Sequence, residues 1–144
     1  MYPTESELIE IARRTTGADQ PAPQAVASGE QVLAMQRLAR QVPVADHVSR
    51  YAARLILATH PDHTSPEAVR KNVLYGASPR GMQTLILGAK ISAMLDGRSA
   101  VSLDDIRAVA LPALRHRLIL NYEAQAEGTP ADAVVSHVLQ GVAG

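Results

Sequence analysis

The chain has 144 residues, enough to bury one core and too few for a second full domain beside it. It contains no cysteine, which excludes a disulfide framework, a thiolate metal site and a cysteine nucleophile, and fits a reducing compartment. Its 14 basic and 14 acidic residues cancel, removing the broad positive footprint on which binding to a phosphate backbone depends, so nucleic acid is not an expected partner.

The start, Met1-Tyr2-Pro3-Thr4-Glu5, has no basic stretch ahead of an apolar run, and no window approaches the ~20 apolar residues of a membrane span. The expectation is a cytoplasmic protein with no membrane insertion. Without Phe or Trp, and with only four Tyr, the core must be built from Leu, Ile, Val, Ala and Met, a composition that suits packed helices.

Thr4, three residues before Glu7, forms a capping-box pattern, and Leu8, Ile9, Ile11 and Ala12 follow at helical spacing, which predicts a first helix over 4–15. Residues 18–27 carry two prolines and no periodic apolar face, so they read as a linker between a lead-in (1–17) and a helical domain (28–144). Ser28 with Gln31 repeats the cap pattern, and Val32, Met35, Ala39 and Val42 recur at intervals of three and four, giving a second helix over 29–41. Beyond Pro43, the stripe Val44, Val48, Tyr51, Leu55 and Thr59 marks a third helix that ends at His60-Pro61, with Arg50 and Arg54 on another face. Residues 61–78 are expected to form a long functional loop, with a short helical turn available between Pro66 and Val73.

Ser78-Pro79 opens the strongest helix, since serine is a preferred N-cap and proline a preferred first helical residue. Its apolar residues from Met82 to Leu95 lie all round, so it is expected to be the central buried helix. After Gly97, Ser102 caps a further helix with Asp104 and Asp105 in its first turn, where the dipole favours acids. Pro112 is expected to break or restart that run, placing Arg115, His116 and Arg117 late in a second segment with Leu114, Leu118 and Ile119. Thr129-Pro130 with Asp132 begins a last helix bearing Val134, Val135, Val138 and Leu139. The sum is all-α: six or seven short helices around an aliphatic core, with no period-two run long enough for a sheet.

The string Gly76-Ala77-Ser78-Pro79-Arg80-Gly81, opening an apolar helix that ends in Gly97-Arg98, resembles the sensor-2 region of MoxR-family AAA+ ATPases. The likeness continues in order through Val101-Ser102-Leu103-Asp104-Asp105-Ile106 and Leu114-Arg115-His116-Arg117-Leu118, and covers most of residues 1–121. Upstream, Tyr2-Pro3 and the acidic helix after it are similar to the place where that family's α/β core hands over to its C-terminal lid. A departure stands at Ala58-Thr59-His60, where the resemblance leads one to expect arginine in place of His60, and the loop His60–Thr64 matches nothing recognisable. The chain has no G-x-x-x-x-G-K-[ST] phosphate loop and no hydrophobic strand ending in paired acidic residues, so alone it is expected to be no enzyme and to hold no nucleotide tightly. Met1 reads as a start placed before an excised fragment, with the family's arginine finger falling upstream of Tyr2.

The resemblance implies a role for Arg80 as sensor 2, with Ser78 and Gly81 as supporting positions. The residues lean the same way, because a cation in the first turn of a helix meets the positive end of the dipole at a cost of ~0.3–1 kcal/mol and so favours an anion nearby. A guanidinium stays charged and presents five fixed donors, suited to a γ-phosphate; the plainer reading is a solvated arginine at a helix start. Tyr51 sits on an apolar stripe, where a core role is the ordinary one, while the resemblance adds contact with an adenine. His116 and Arg117 are explained by the dipole at a helix end, and the resemblance adds contact with a neighbouring subunit or the core domain. His60, Asp62 and His63 hold metal-ligand residue types without a further positioned ligand, so no metal site is expected.

The resemblance implies an all-helical lid serving ATP and Mg²⁺ in a longer ATPase. Its partners would be its own AAA+ core, neighbouring subunits of a ring, commonly a hexamer, and client proteins, several with von Willebrand A domains, for chaperone-like remodelling. The rival is a free-standing helical protein-interaction or helix-turn-helix module using the Ser78–Leu95 helix for recognition, which the apolar surface of that helix argues against.

Overall fold

The computed structural model describes residues 2–17 and 24–143, so 18–23, most of the expected linker, lie outside the described residues. The chain divides into two compact units, Met1–Leu33 and Ala34–Gly144, with the cut inside its second helix.

In the first unit, α1 (Glu5–Thr16) begins with the expected capping box. Thr4 N–H and its hydroxyl both reach the Glu7 carboxylate, at 2.7 and 2.8 Å, and lower its pKa. No residue of α1 is buried, and Leu8, Ile9 and Ile11 remain about half exposed. The next helix, α2 (Gly29–Gln41), opens on the second reciprocal cap: Gln31 Oε1 accepts from Ser28 N–H at 2.7 Å and Ser28 Oγ from Gln31 N–H at 3.2 Å. Both caps satisfy first-turn donors that would otherwise lack partners.

The second unit contains α3 (Asp46–Ala58), α4 (Glu67–Asn72), β1 (Val73–Tyr75), α5 (Pro79–Leu95), α6 (Leu103–Leu114), β2 (Ile119–Leu120), α7 (Tyr122–Ala126) and α8 (Ala131–Gly141). Its core joins Val48, Tyr51 and Leu55 of α3 to Leu85, Ala89 and Ala93 of α5, Ile106, Ala110 and Leu114 of α6, and Val134, Val135 and Val138 of α8. Among the described residues, Tyr51 is the only aromatic ring in this otherwise aliphatic core. Small residues at 81, 89 and 93 let the backbone of α5 approach its neighbours closely.

The all-α class holds, with four corrections. Among the described residues there are eight helices rather than six or seven. They are joined by a small antiparallel ribbon in which Val73 pairs with Leu120 and Tyr75 with Ile119. The second correction is to the expected long loop over 61–78, which contains α4, at the helical turn expected between Pro66 and Val73, and also the strand β1. Asn121 organises this corner: its Nδ2 donates to Lys71 O at 2.6 Å, its backbone N–H to Asn72 O at 2.9 Å, and its Oδ1 caps α7 by accepting from Ala124 N–H at 2.9 Å.

The third correction concerns Pro112, which lies inside α6 without ending it. A proline removes one bond to the carbonyl four residues back, and here Ala108 and Pro112 are both exposed, so water can serve that carbonyl. The segment beyond is a turn running into β2, and Arg115, His116 and Arg117 therefore follow a helix rather than ending one. The fourth concerns α5, which buries the stripe Gly81, Leu85, Ala89 and Ala93 and leaves Leu87, Ile91 and Leu95 exposed, so it is buried on one face only.

Candidate functional site

The approach to α5 is fixed from the end of α3. A Cβ on Gly76 would stand 2.6 Å from the Thr59 carbonyl oxygen and 2.8 Å from His60 N, both backbone atoms, so only glycine fits. The next residue, Ala77, is buried and held at both backbone groups. Its N–H donates to Thr59 Oγ1 at 2.8 Å, and its carbonyl accepts from His60 Nε2 at 3.1 Å. Thr59 is fully buried, and its hydroxyl proton goes to Ile56 O at 2.6 Å.

Ser78 then takes the N-cap position with φ −75° and ψ 173°, yet its hydroxyl makes no capping hydrogen bond. The first turn closes through Gly81 N–H to Ser78 O at 2.7 Å. Gly81 packs against Ile56, Ala77 and Leu114, with a Cβ there meeting their side chains at 3.1, 3.2 and 3.4 Å. The turn is thus pressed onto α3 and α6 on one side while Ser78, Pro79 and Arg80 face solvent on the other.

Arg80 has no hydrogen-bond or ion-pair partner for its guanidinium among the described residues. Its backbone carbonyl is held: Thr84 Oγ1 donates to it at 2.8 Å, and Arg117 Nη2 donates to Thr84 Oγ1 at 3.0 Å while Arg117 Nε donates to Ala113 O at 3.0 Å. The structure therefore brings Arg117 to the turn bearing Arg80 and directs it inward, as a brace between α6 and α5. A groove of about 630 Å³ beside this turn is lined by Arg40, Pro79, Met82, Gln83, Ile86 and Leu87.

The other end of α5 shows the opposite treatment of charge. Arg98 donates through Nη1 to Asp105 Oδ2 at 2.6 Å, through Nη2 to Asp105 Oδ1, and to Asp96 at 2.8 Å. Asp105 also accepts from Ser102 N–H and the Ser102 hydroxyl, each at 2.8 Å, while Ser102 Oγ accepts from Asp105 N–H. The Arg98 guanidinium, then the Ser102 donors, hold the Asp105 carboxyl far below its usual range, against the opposing effect of burial.

The remaining sequence candidates are dispersed. Tyr51 is fully buried, with Arg107 donating to its hydroxyl at 3.3 Å and stacked 5.2 Å from its ring centroid, so its ring is packed inside rather than offered to a base. His116 is exposed. In the His60–Thr64 loop, Asp62 Oδ1 accepts from the Thr64 hydroxyl at 2.7 Å, Thr64 N–H at 2.8 Å and the Ser65 hydroxyl at 3.0 Å, which hold its pKa down to about 2. Among the described residues no three metal-ligating side chains come together, and no helix is long and apolar enough to cross a membrane.

Sequence reasoning misses Thr59, Thr84, the turn of His60 toward Ala77, and the Arg98–Asp105 pair. Thr59 and Ala77 are 18 positions apart, and nothing in local periodicity links them. The glycine at 76 is the one signal that a backbone passes close by.

Comparison with known proteins places this geometry in a class. The family described as AAA lid domain matches residues 65–138, which include the Thr59-supported helix start at Arg80 and both ends of α6. The chain belongs to the AAA lid domain family. It is 34% identical over 143 residues to Chaperone MoxR1 of Mycobacterium tuberculosis, a match covering 99% of this chain and 38% of that protein. Protein MoxR of Paracoccus denitrificans is 48% identical over 54 residues, 36% of this chain and 16% of that one. A crystal structure of a proposed ATPase from Cytophaga hutchinsonii superposes with a TM-score of 0.81 at 32% identity, over 99% of this chain and 44% of that one. This domain is accordingly a lid of the MoxR type, spanning well under half the length of the relatives it matches.

Proposed function

We propose that this lid senses nucleotide for a longer MoxR-type ATPase, with Arg80 directed in cis at the γ-phosphate of ATP and with Ser78 and Gly81 shaping the turn that carries it. The observation that carries this reading is the guanidinium of Arg80, without a partner among the described residues, on a turn whose backbone is held from two sides. The residues fit a phosphate: an exposed cation, a helix start whose serine hydroxyl makes no cap, and a dipole whose positive end faces the same way. Arg80 would donate to developing negative charge on the phosphoryl oxygens and lose that contact on hydrolysis. ATP supplies the phosphoryl group to be transferred, and Mg²⁺ accompanies it as the nucleotide's counter-ion, for which this chain's described residues assemble no ligand set.

In this reading residues 1–17 lead in from the AAA+ core, 18–27 link, and 28–144 form the lid, whose movement on hydrolysis passes force around a ring of neighbouring subunits, hexameric in the common arrangement. The groove beside Arg80 and the exposed His116 are surfaces for the core or a neighbouring subunit. The name of the mycobacterial relative supports chaperone-like remodelling of client proteins; von Willebrand A-domain clients and a cytoplasmic setting belong to the reading through the family resemblance alone.

The test is ATP turnover of the full-length protein against its Arg80→Ala variant, with nucleotide binding followed in parallel. Turnover is expected to fall on the order of 10²-fold with fold and most binding kept. Unchanged turnover returns Arg80 to the role of a solvated surface residue.

A further inference from the structure

The helix start that carries Arg80 has no cap of its own, so its direction is set from outside the helix. The hydroxyl of Thr59 commits its proton to Ile56 O, which leaves its lone pairs to receive the Ala77 N–H, and the geometry is therefore directional. The Thr59 backbone adds a second restraint, because Gly76 lies against its carbonyl with no room for a Cβ. Only Ser78 and Pro79 separate Ala77 from Arg80, and a displacement at Ala77 is carried directly into the first turn of α5.

We propose that Thr59 is a positioning residue for nucleotide hydrolysis, acting through Arg80 by fixing the Gly76–Ala77 segment. The proposal rests on the sensor reading of Arg80. It separates two properties that a purely structural residue would not separate: Thr59 sets where the guanidinium stands, not whether the lid folds. A misplacement of about 1 Å at a charge-stabilising group costs up to ~100-fold in rate, and because the lost alignment acts on the reacting end of the substrate, it lowers kcat and leaves KM nearly unchanged.

The experiment is a double-mutant cycle on ATP turnover in the full-length protein, combining Thr59→Val and Thr59→Ser with Arg80→Ala. Valine keeps the shape of threonine and removes the acceptor; serine keeps the acceptor. Thr59→Val is expected to lower kcat at least ~10-fold with KM within ~3-fold, and Thr59→Ser to restore most of it. In the Arg80→Ala background, Thr59→Val is expected to have no further effect. Val138→Ala, which opens a cavity in α8, serves as the control for loss of stability and should leave turnover unchanged where the protein is folded.

If Arg80→Ala is slow and Thr59→Val lowers turnover equally in both backgrounds, the positioning role is overturned while the sensor reading stands. If Arg80→Ala turns over like the parent, both fall together. Should Thr59→Val not fold, amide exchange in the unmodified protein decides: the Ala77 N–H is expected to be protected like the core of α5, and exchange at the rate of an unprotected amide overturns the proposal.

Discussion

Both α5 and α6 begin after a serine in extended backbone, Ser78 with ψ 173° and Ser102 with ψ 169°, and the two starts are built in opposite ways. At α6 the serine caps, the third helical residue Asp105 caps in return, and Arg98 neutralises that carboxylate, so every charge at the start is spent within the fold. At α5 the serine hydroxyl makes no cap, the first turn carries a cation instead of an acid, and that cation has no partner among the described residues. Support for α5 comes from behind, through Thr59, His60 and Arg117, which hold the backbone and leave the front free. A helix start that maximises its own stability has no open donors, whereas one that binds an anion needs them open and held in place.

The strongest way to break the comparison is to remove Asp105. Asp105→Ala deletes the reciprocal cap of a buried carboxylate and leaves the Arg98 guanidinium facing Asp96 alone, an expected loss of about 2–3 kcal/mol in denaturant titration. The effect carries a pH signature. The folded pKa of Asp105 is depressed, so its stabilisation is complete above the unfolded carboxylate value of about 3.9 and is lost as the pH falls through the folded value. The gap between parent and variant should therefore be constant near neutral pH and narrow below about pH 4. A gap that persists unchanged in strong acid would mean that packing, not the ion pair, holds this corner.

Much of this contrast is legible in the sequence alone. The serines, the acids after Ser102 and the arginine after Pro79 are local patterns, and local patterns also set the bounds of α2 and the capping box of α1. What is not legible rests on distant pairing. β1 and β2 have three and two residues, too few to show alternation, and they form because Asn121 ties residues some fifty positions apart. The supports of Arg80 are of the same kind: Thr59 reaches Ala77, and Arg117 reaches Thr84, 33 positions away. Arg117 reads as a cation at a helix end when Pro112 is taken to restart a helix; with the helix running through Pro112 to Leu114, the chain turns and sends Arg117 back to Thr84 of α5. The apolar residues of α5 suggest too buried a helix because Leu87, Ile91 and Leu95 sit on a face that the described residues leave exposed.

A finer test substitutes the two serines in parallel. Ser102→Ala is expected to cost about 1 kcal/mol, the usual loss for a working cap. Ser78→Ala should change stability by no more than about 0.3 kcal/mol, because no capping bond is lost. Equal losses at the two positions would show that Ser78 caps in solution, and the open start of α5 would no longer stand.

A change of sign is the most diagnostic of design. Arg80→Ala removes a positive charge from the positive end of the α5 dipole and adds a better helix former, so the isolated lid should be unchanged or more stable by about 0.3–1 kcal/mol, most visibly at low salt. High salt screens that repulsion, and the gain should shrink as ionic strength rises. A residue that weakens its own domain slightly yet whose loss slows turnover is held for what it meets outside the fold. A destabilisation of about 1 kcal/mol or more would instead place the Arg80 side chain among the internal contacts of the lid, and the contrast between the two helix starts would then reduce to a difference in which partners each one has found.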